Sequence, residues 1–559
     1  MPNPTVVEYL VRRLSDLGID KVFGVPGDYS FPIDDAIEVC PTLDWIGCAN
    51  ELNAAYAADG YARRKGAAIL TTTYGVGELS ALNGVMGAKA HRLPIFHLVG
   101  APSRRIAHQR LITHHTLGDG VYGNFESLSA AACCVSALLT PDNAVHEIER
   151  VIREALRQSA PAYIVIPMDH ARMSIVGAPV TGAPLASIKR QSSAAIELDG
   201  ALKAVIARLK AAKNPVVLPS AMLARYGLRD KLKTFLDKTR IPYATTPMDK
   251  GVVSEGHPNY LGMYNGDRSS PLAVRDIVQN ADLILDLGGI VLEDLNTGLW
   301  SNVIPSERMI SIHNSMVQLG ATVFSHVAIE DLIDGLIEQS PVFSGKTDAP
   351  QHEPPTISGA ADDELGSAHF YPRLQRFLRS GDVLVIETGT CMFHLGAAKL
   401  PDGVGCETQT LWGSIGWATP AAMGVALANT AGRTVIVTGD GSHQMTFNEL
   451  AVMGRYNLKP VIFVLNNGIY GIEDVLSERG HEYDNLATLE YHLLPKAMGC
   501  ADWLSRRVTT VGELEAALAA IEAGDSAAYI EVMIPESESQ PLPQEIIDQI
   551  YKFRTPHAT

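Results

Sequence analysis

An aspartate and an asparagine follow two short β-branched runs, where their side-chain oxygens could hold a metal ion. Asp440 follows the run 433–438, and Asn467 follows the run 459–465. Residues 447–455 between them have the apolar spacing of a helix. A strand, a helix and a strand of these lengths form a βαβ unit, so the two strands are predicted to be parallel and adjacent. We therefore expect both side chains at the carboxyl edge of a sheet, where open α/β sheets bind ligands.

The chemistry of this edge suits a magnesium ion and a phosphate group. Mg²⁺ takes oxygen ligands, which Asp440, Asn467 and the backbone carbonyl of Ile469 can supply. The glycines on both sides of Asp440 let backbone N–H groups approach a phosphate, and Ser442 can donate a hydrogen bond to it. Either segment alone is more often a plain turn or strand end. The two segments together, on neighbouring strands, favour a binding site.

Five further titratable side chains could carry acid–base chemistry. They are Asp28 in a Pro-Gly-Asp turn, Glu51 at the start of an alanine-rich helix, the adjacent pair His114 and His115, and Glu473 beyond the proposed metal site. Imidazoles titrate near neutral pH, and a buried carboxylate can share a proton. Each also has a plainer interpretation, as a turn residue, a helix-dipole partner, a surface loop or a solvated helix start. Residue type alone leaves these alternatives open.

The elements that would position these residues fall into three blocks in which strands and helices alternate. Residues 177–196 are rich in Gly, Pro, Ala and Ser, and residues 341–363 are polar and rich in proline, so both segments are predicted linkers. We predict an α/β fold of three doubly wound domains with parallel sheets, at 1–178, 196–342 and 362–559. The middle block shows no convincing set of catalytic groups.

Composition excludes several classes of protein. The chain of 559 residues has 62 acidic and 45 basic side chains, a net charge of −17, and no block of like charge, so nucleic acid and anionic membranes are poor partners. No apolar run approaches the ~20 residues of a spanning helix, and the N-terminal segment is too charged for a signal peptide. The seven scattered cysteines include no C-x-x-C and predict reduced thiols in the cytoplasm.

Several segments around these residues resemble motifs of the thiamine-diphosphate (ThDP) enzymes, and among these the 2-keto acid decarboxylase family. GDG followed some two dozen residues later by NN resembles the diphosphate-binding signature, and NELNAAYAADGYAR resembles the segment that meets the pyrimidine ring. VPGDYSFPID, HRLPIFHLVGAP and THHTLGDG resemble the pyruvate and indolepyruvate decarboxylase branch. The similarity extends from about Tyr9 to Met533. It implies pyrimidine-binding, middle and diphosphate-binding domains, with ThDP and Mg²⁺ as cofactors.

The resemblance also implies a role for each candidate residue. Glu51 would hydrogen-bond the pyrimidine ring, so that the cofactor's exocyclic nitrogen can remove the C2 proton. Asp28, His114 and His115 would transfer protons around the intermediates, and Glu473, in its protonated form, would lie beside the substrate carboxylate. Asp440, Asn467 and the carbonyl of Ile469 would hold Mg²⁺. The implied cofactor-binding residues are Thr388, Gly389, Thr390, Gly413, Ser414, Ile415, Gly439, Asp440, Gly441, Ser442, Asn467, Ile469, Gly471 and Ile472.

The reaction implied by the resemblance is the non-oxidative decarboxylation of a 2-keto acid to an aldehyde and CO₂, through a ThDP ylide and an enamine. The cofactor carries this chemistry. The family places the pyrimidine and diphosphate sites in different subunits, which implies a homodimer as the active unit, often within a homotetramer. The substrate pocket would include Ile290, Met392, Ile472 and Leu476. Because flexible Met392 stands where pyruvate-specific enzymes carry a bulky aromatic residue, we expect aromatic or branched-chain substrates larger than pyruvate.

Two other functions remain open from the sequence. A ThDP carboligase of the acetolactate synthase type would share the cofactor site, although such enzymes generally lack the pair of histidines. A catalytically idle ThDP-fold protein that acts as a binding subunit is the other, and the intact set of acidic and histidine residues argues against it. A dinucleotide-dependent dehydrogenase is excluded, because the segment 75–80 lacks the third glycine of that fingerprint.

Overall fold

Three β-sheets organise the protein, two of them entirely parallel and one mixed. The computed structural model describes residues 3–289, 304–345, 349–429, 431–477 and 480–535. One compact unit is built from Met1–Gln191, Arg225–Gly227 and Pro420–Thr430, and a second from the remainder of the chain. The helices of the described residues do not combine the length and the apolar character that crossing a bilayer requires. Ile290 lies outside the described residues. Residues 543–552, where the sequence pattern predicts a terminal helix, lie outside them as well.

The first sheet is parallel and has the strand order β2-β1-β3-β4-β6-β5. Its strands are β1 (Lys21–Gly24), β2 (Asp44–Gly47), β3 (Ala68–Thr73), β4 (Ile95–Ala101), β5 (Val135–Leu138) and β6 (Ala162–Pro167). Its helices are α1 (Val6–Ser15), α2 (Phe31–Glu38), α3 (Glu51–Lys65), α4 (Val76–Ala90), α5 (Arg104–His108), α6 (Asn124–Ala132), α7 (Ala144–Gln158) and α8 (Met168–Ala171). The sequence pattern predicts every strand except β5, a half-buried edge strand without a continuous apolar run. Strands β3, β4 and β6 are buried along their whole length, as expected when helices cover both faces of a sheet.

The second sheet, of the middle domain, has the strand order β13-β12-β11-β10-β7-β8-β9. Its strands are β7 (Pro215–Pro219), β8 (Tyr243–Thr245), β9 (Tyr260–Met263), β10 (Leu283–Leu287), β11 (Met309–His313), β12 (Met316–Leu319) and β13 (Thr322–Ser325). Its helices are α9 (Ala195–Ala211), α10 (Met222–Arg225), α11 (Arg229–Thr239), α12 (Ala273–Gln279) and α13 (Ile329–Gln339). Here the prediction of a parallel sheet was incomplete, because β11, β12 and β13 pair antiparallel. The two-residue connections Asn314-Ser315 and Gly320-Ala321 are too short for a crossover and permit only hairpins.

The third sheet is parallel, in the order β15-β14-β16-β17-β19-β18. Its strands are β14 (Val383–Ile386), β15 (Gly405–Thr408), β16 (Thr434–Gly439), β17 (Val461–Asn466), β18 (Leu504–Val508) and β19 (Ala528–Met533). Its helices are α14 (Ser367–Phe377), α15 (Thr390–Ala397), α16 (Ala418–Ala428), α17 (Asp440–Gln444), α18 (Glu449–Arg455), α19 (Gly471–Leu476), α20 (Leu494–Ala497) and α21 (Val511–Ala523). Strands β16 and β17 are parallel neighbours, which confirms the predicted βαβ unit. Asp440 does not lie in a plain turn, the alternative interpretation of its segment, because it begins the short helix α17.

Helix α3 packs so closely that it requires small residues. A Cβ atom added to Gly60 would lie 1.9 Å from the carbonyl oxygen of Ala421, and one added to Gly424 would lie 1.9 Å from that of Ala57. The alanine-rich sequence of α3 therefore reflects backbone-to-backbone packing against the 420–428 part of α16. This packing holds in place the helix whose first residue is Glu51.

Candidate active site

Asp440 lies at the carboxyl edge of the third sheet, where β16 ends and α17 begins. Its carboxylate is 3% exposed and accepts three backbone hydrogen bonds, from Gly441 (2.9 Å), Asn467 (3.2 Å) and Gly468 (2.8 Å). Burial raises the pKa of Asp440 to about 6, although these backbone N–H groups oppose the shift. The loop after β17 is thus tied to the carboxylate at the end of β16, and the two predicted metal-site residues meet as expected.

The donor set at this edge fits a divalent cation. In the described part of the chain, no cationic side chain pairs with the Asp440 carboxylate. The Asn467 Oδ1 atom accepts one long hydrogen bond, of 3.3 Å, from the N–H of Ile469, which leaves a lone pair for a metal. A buried carboxylate without a counter-charge is costly, and a metal ion of the expected kind would relieve that cost.

Two loops meet beside Asp440 and are joined by a buried glutamate. Glu387 ends β14 and is fully buried, with its Oε2 atom accepting from the N–H groups of Gly416 (3.2 Å) and Ala418 (3.0 Å). Its Oε1 atom accepts from the N–H of Thr388 at 3.0 Å. Burial raises the pKa of Glu387 to about 7, against these hydrogen bonds. Glu387 therefore holds the 388–390 segment and the 413–416 loop in register.

An open cleft of about 760 Å³ collects most of the residues implicated in cofactor binding. It is lined by Thr388, Gly389, Thr390, Ile415, Gly439, Asp440, Gly441, Ser442, Asn467, Ile469, Gly471 and Ile472. Glu473, in the first turn of α19, lines the same cleft. Gly413 and Ser414 lie in the adjoining loop but do not line the cleft. Ser414 donates its backbone N–H to Gln409 Oε1 at 3.1 Å, and this hydrogen bond fixes the conformation of that loop.

The residues predicted for the substrate pocket do not all lie together. Ile472 lines the cleft with Glu473. Leu476 is buried at the end of α19 and is not among the cleft-lining residues. Met392 faces away from the cleft, into a small pocket that it shares with Met263 and other middle-domain side chains. These positions leave the predicted pocket roles of Met392 and Leu476 as predictions.

A second group of predicted residues gathers at the carboxyl edge of the first sheet. His114 Nε2 and Asp28 Oδ2 are 2.8 Å apart, and the rings of His114 and His115 have centroids 4.7 Å apart. The metal-binding atoms of these three side chains lie within 4.8 Å of one another. Tyr29 stacks on His114 at 4.8 Å and fixes the plane of its imidazole. Asp28 follows β1, so the sheet edge brings a carboxylate to two histidines that lie 86 and 87 residues later.

Glu51 lies on the same edge, as the first residue of α3 after β2. Its carboxylate has no hydrogen-bond partner among the residues that the structure describes, so it is available to a ligand. A Cβ atom added to Gly77 would lie 3.3 Å from Glu51 Oε1, and one added to Gly75 would lie 2.3 Å from the carbonyl oxygen of His115. Glu51 and the histidine pair therefore border the same Gly75–Gly77 turn. The Nδ1 atom of His115 is buried without a partner in the described residues.

Comparisons with known proteins identify the family. Models of the thiamine pyrophosphate enzymes match in three parts: the N-terminal TPP binding domain at 4–122, the central domain at 202–339 and the C-terminal TPP binding domain at 392–532. The chain is 35% identical over 560 residues to pyruvate decarboxylase isozyme 2 of Saccharomyces cerevisiae, covering 98% of both proteins. It is 36% identical over 538 residues to the alpha-keto-acid decarboxylase of Mycobacterium leprae, covering 95% of this chain and 93% of that protein.

The chain belongs to the ThDP-dependent 2-keto acid decarboxylase family. This confirms the resemblance and the ThDP cofactor with its divalent metal ion. The three-domain α/β architecture is confirmed as well. Each matched range lies inside one of the predicted domains, whose limits remain predictions.

Three side chains of this decarboxylase have a positioning role that the sequence did not assign. Glu387 joins the 388–390 and 413–416 segments, Tyr29 orients His114, and His443 anchors α17 to Thr419 and Tyr529. His443 is fully buried between Thr419 Oγ1 (2.9 Å) and Tyr529 O–H (2.8 Å), and burial lowers its pKa to about 3, so it is neutral. The sequence marks such a residue only by its type and by its position shortly after a strand. The partners that reveal its positioning role lie far away in sequence.

Proposed function

We propose that the chain decarboxylates 2-keto acids with branched or aromatic side chains to an aldehyde and CO₂. The observation that carries the decarboxylase assignment is the Asp28–His114–His115 group beside Glu51, at one sheet edge. The names of the two relatives, pyruvate decarboxylase and alpha-keto-acid decarboxylase, support it, and neither relative is named as a carboligase. The preference for large substrates is inferred from the sequence, because flexible Met392 stands where pyruvate-specific enzymes of the family carry a bulky aromatic residue, although its side chain lines the pocket next to the cleft.

Some of the site residues would bind the cofactor, and others would transfer protons. Asp440, Asn467 and the carbonyl of Ile469 would hold Mg²⁺, and the N–H groups and hydroxyl of the 439–442 segment would hold the diphosphate. Bound ThDP supplies the nucleophilic carbon and the electron sink for decarboxylation. Glu51 would hold a proton on the pyrimidine ring. Asp28 and His114 share a hydrogen bond and can deliver a proton to the reacting carbon, while Glu473 borders the place of the substrate carboxylate.

One panel of substrates tests this function. With ThDP and Mg²⁺ added, the protein should form aldehyde and CO₂ from branched, phenyl and indole 2-keto acids with a higher kcat/KM than from pyruvate. Glu51→Gln should lose most of this activity while keeping the thermal stability of the parent. Absence of aldehyde from every substrate would refute the decarboxylase function, and acetolactate as the main product from pyruvate would establish the carboligase. A higher kcat/KM for pyruvate would refute the large-substrate preference alone.

We also propose that the active unit is a homodimer, within a homotetramer, in which each active site takes residues from two copies. The segment that contains the histidine pair exposes apolar side chains that offer a surface to a second copy: Leu111, Ile112, Leu117, Val121 and Leu128. Seven free cysteines suit a reducing compartment, and we propose the cytoplasm. Co-expression of Glu51→Gln with Asp440→Asn tests the shared site. If dimers form at random, about a quarter of the parent activity should return, because half of the dimers carry one intact site out of two. Activity no higher than that of either variant alone would refute the sharing.

A further inference from the structure

Helix α15 presents different side chains to two different pockets. Thr390, Cys391 and His394 line the cleft that also contains Glu473 and Asp440. Met392 and Phe393, together with the small residues of the last turn, face the pocket shared with the middle domain. The spacing i, i+1 and i+4 places the first set on one face of the helix. His394 therefore lies one turn beyond Thr390 on the face of the helix that lines the cleft.

The His394 imidazole is neutral, and stacking on a neighbouring aromatic ring holds it in place. It stacks on Tyr371 of α14, with ring centroids 4.3 Å apart and an angle of 15° between the planes. Tyr371 is buried in the core of the third domain, so the ring of His394 rests on a rigid support. Burial, with a smaller contribution from the positive charge of Arg268, lowers the pKa of His394 to about 4. Near neutral pH the ring therefore carries one N–H donor and one acceptor nitrogen.

Neither ring nitrogen of His394 has a hydrogen-bond partner in the part of the chain that the structure describes. The ring stacks on Tyr371 through its face, which leaves both nitrogens at the ring edge free of that contact. A neutral imidazole with both nitrogens open suits a polar, uncharged group on a ligand in the cleft. It offers no ion pair to a carboxylate and no hydrogen bond to a hydrocarbon side chain.

We propose that His394 is a specificity-determining residue that hydrogen-bonds a polar group at the far end of an aromatic substrate side chain. The enzyme should then prefer 4-hydroxyphenyl and indole 2-keto acids over phenyl 2-keto acids of similar shape. A site that hydrogen-bonds a substrate O–H or N–H rejects the analogue that lacks it, because the polar groups of the site are left unpaired. This inference rests on the proposed function, since it places the substrate in the cleft beside Glu473.

Three variants separate recognition from packing. His394→Phe keeps the aromatic face against Tyr371 and removes both nitrogens. His394→Asn keeps a donor and an acceptor and removes the stack. His146→Phe, at an exposed position on α7, is the matched control. The measurement is the ratio of kcat/KM for 4-hydroxyphenylpyruvate to that for phenylpyruvate. His394→Phe should lower this ratio by about 2- to 13-fold, which is the worth of one net hydrogen bond, mainly through KM. His394→Asn should recover part of the ratio, and His146→Phe should leave it unchanged.

Equilibrium binding gives a second measurement that does not depend on turnover. Titration calorimetry of the ThDP- and Mg²⁺-loaded protein with 3-(4-hydroxyphenyl)propanoate and 3-phenylpropanoate should show the same shift in the ratio of the two Kd values. Ratios in His394→Phe within twofold of the parent, in both kinetics and binding, would overturn the inference while leaving the decarboxylase function intact. If the parent forms no aldehyde from any 2-keto acid, the proposed function fails, and the binding ratio still decides the role of His394.

Discussion

Asp440→Asn should change how the stability of the metal-free protein depends on pH. The Asp440 carboxylate is buried without a cationic partner among the described residues, and burial raises its pKa to about 6. In the unfolded chain an aspartate titrates near ~4. Between these two values the folded protein binds a proton that the unfolded chain does not bind. Asp440 therefore makes the folded state less stable as pH rises through about 6, and asparagine cannot do so.

The size of this effect follows from the shift in pKa. One pKa unit corresponds to about 1.4 kcal/mol, so the ionised carboxylate costs the metal-free protein about 3 kcal/mol well above pH 6. Lowering the pH from 8 to 5 protonates Asp440 in the folded state and should return about 1.4 kcal/mol of that cost. In Asp440→Asn this gain is absent. The free energy of unfolding of the parent, relative to the variant, should thus be larger at pH 5 than at pH 8 by about 1.4 kcal/mol.

Urea unfolding of metal- and ThDP-free protein provides the assay. Parent and variant are compared at pH 8 and at pH 5, at one subunit concentration, so that the other titrating groups cancel in the double difference. A double difference below about 0.5 kcal/mol, or one of opposite sign, would refute the argument that the carboxylate is buried and lacks a counter-charge. In the same experiment at pH 8, Mg²⁺ and ThDP should stabilise the parent and should leave the variant unchanged, because the cofactor binds only the intact site.

Three other substitutions test the proposed cofactor loops, the proposed proton donor and the helix packing. Glu387→Ala leaves three backbone N–H groups without an acceptor, two of them buried, at a cost of about 1–3 kcal/mol for each buried group. It should raise the Kd for ThDP at least tenfold, as measured by quenching of tryptophan fluorescence. Asp28→Asn should lower kcat for decarboxylation by about 10²–10⁴-fold with little change in Tm, because it removes the hydrogen-bonded carboxylate from His114. Gly60→Ala should lower the free energy of unfolding by about 1–3 kcal/mol in a calorimetric scan, since its Cβ would overlap the Ala421 carbonyl.

Each of these substitutions has a control elsewhere on the surface. Glu490→Ala and Asp142→Asn change exposed carboxylates and should leave the Kd for ThDP and the kcat as in the parent. Gly123→Ala adds a methyl group where nothing lies within 4 Å and should not lower Tm. A ThDP Kd for Glu387→Ala within twofold of the parent would contradict the loop-joining role of Glu387. Asp28→Asn activity above a tenth of the parent, or an unchanged Tm in Gly60→Ala, would contradict the other two arguments.

The extent to which the fold could be predicted differs from element to element. Strands β16 and β17 were predictable, because β-branched runs buried on both faces stand out in the sequence. The antiparallel pairing of β12 and β13 was not predicted, since short amphipathic strands at the edge of a sheet give little signal. Helix α17 was not predicted, because its five residues, DGSHQ, are too few to show helical periodicity. Only its neighbours in space show that the segment is helical.

The residue types and their spacing determined the cofactor class of this protein and predicted its acid–base residues. Asp440 and Asn467, and likewise Asp28 and Glu51, each follow a strand of a parallel sheet, so the order of strands along the chain already implies a shared edge. The tertiary structure decided what depends on packing between distant segments. It buried Asp440 and Glu387, which sets the direction of their pKa shifts, and it turned His394 rather than Met392 toward the cleft. Burial and the orientation of a helix face arise from neighbours far away in sequence, and no local pattern encodes them.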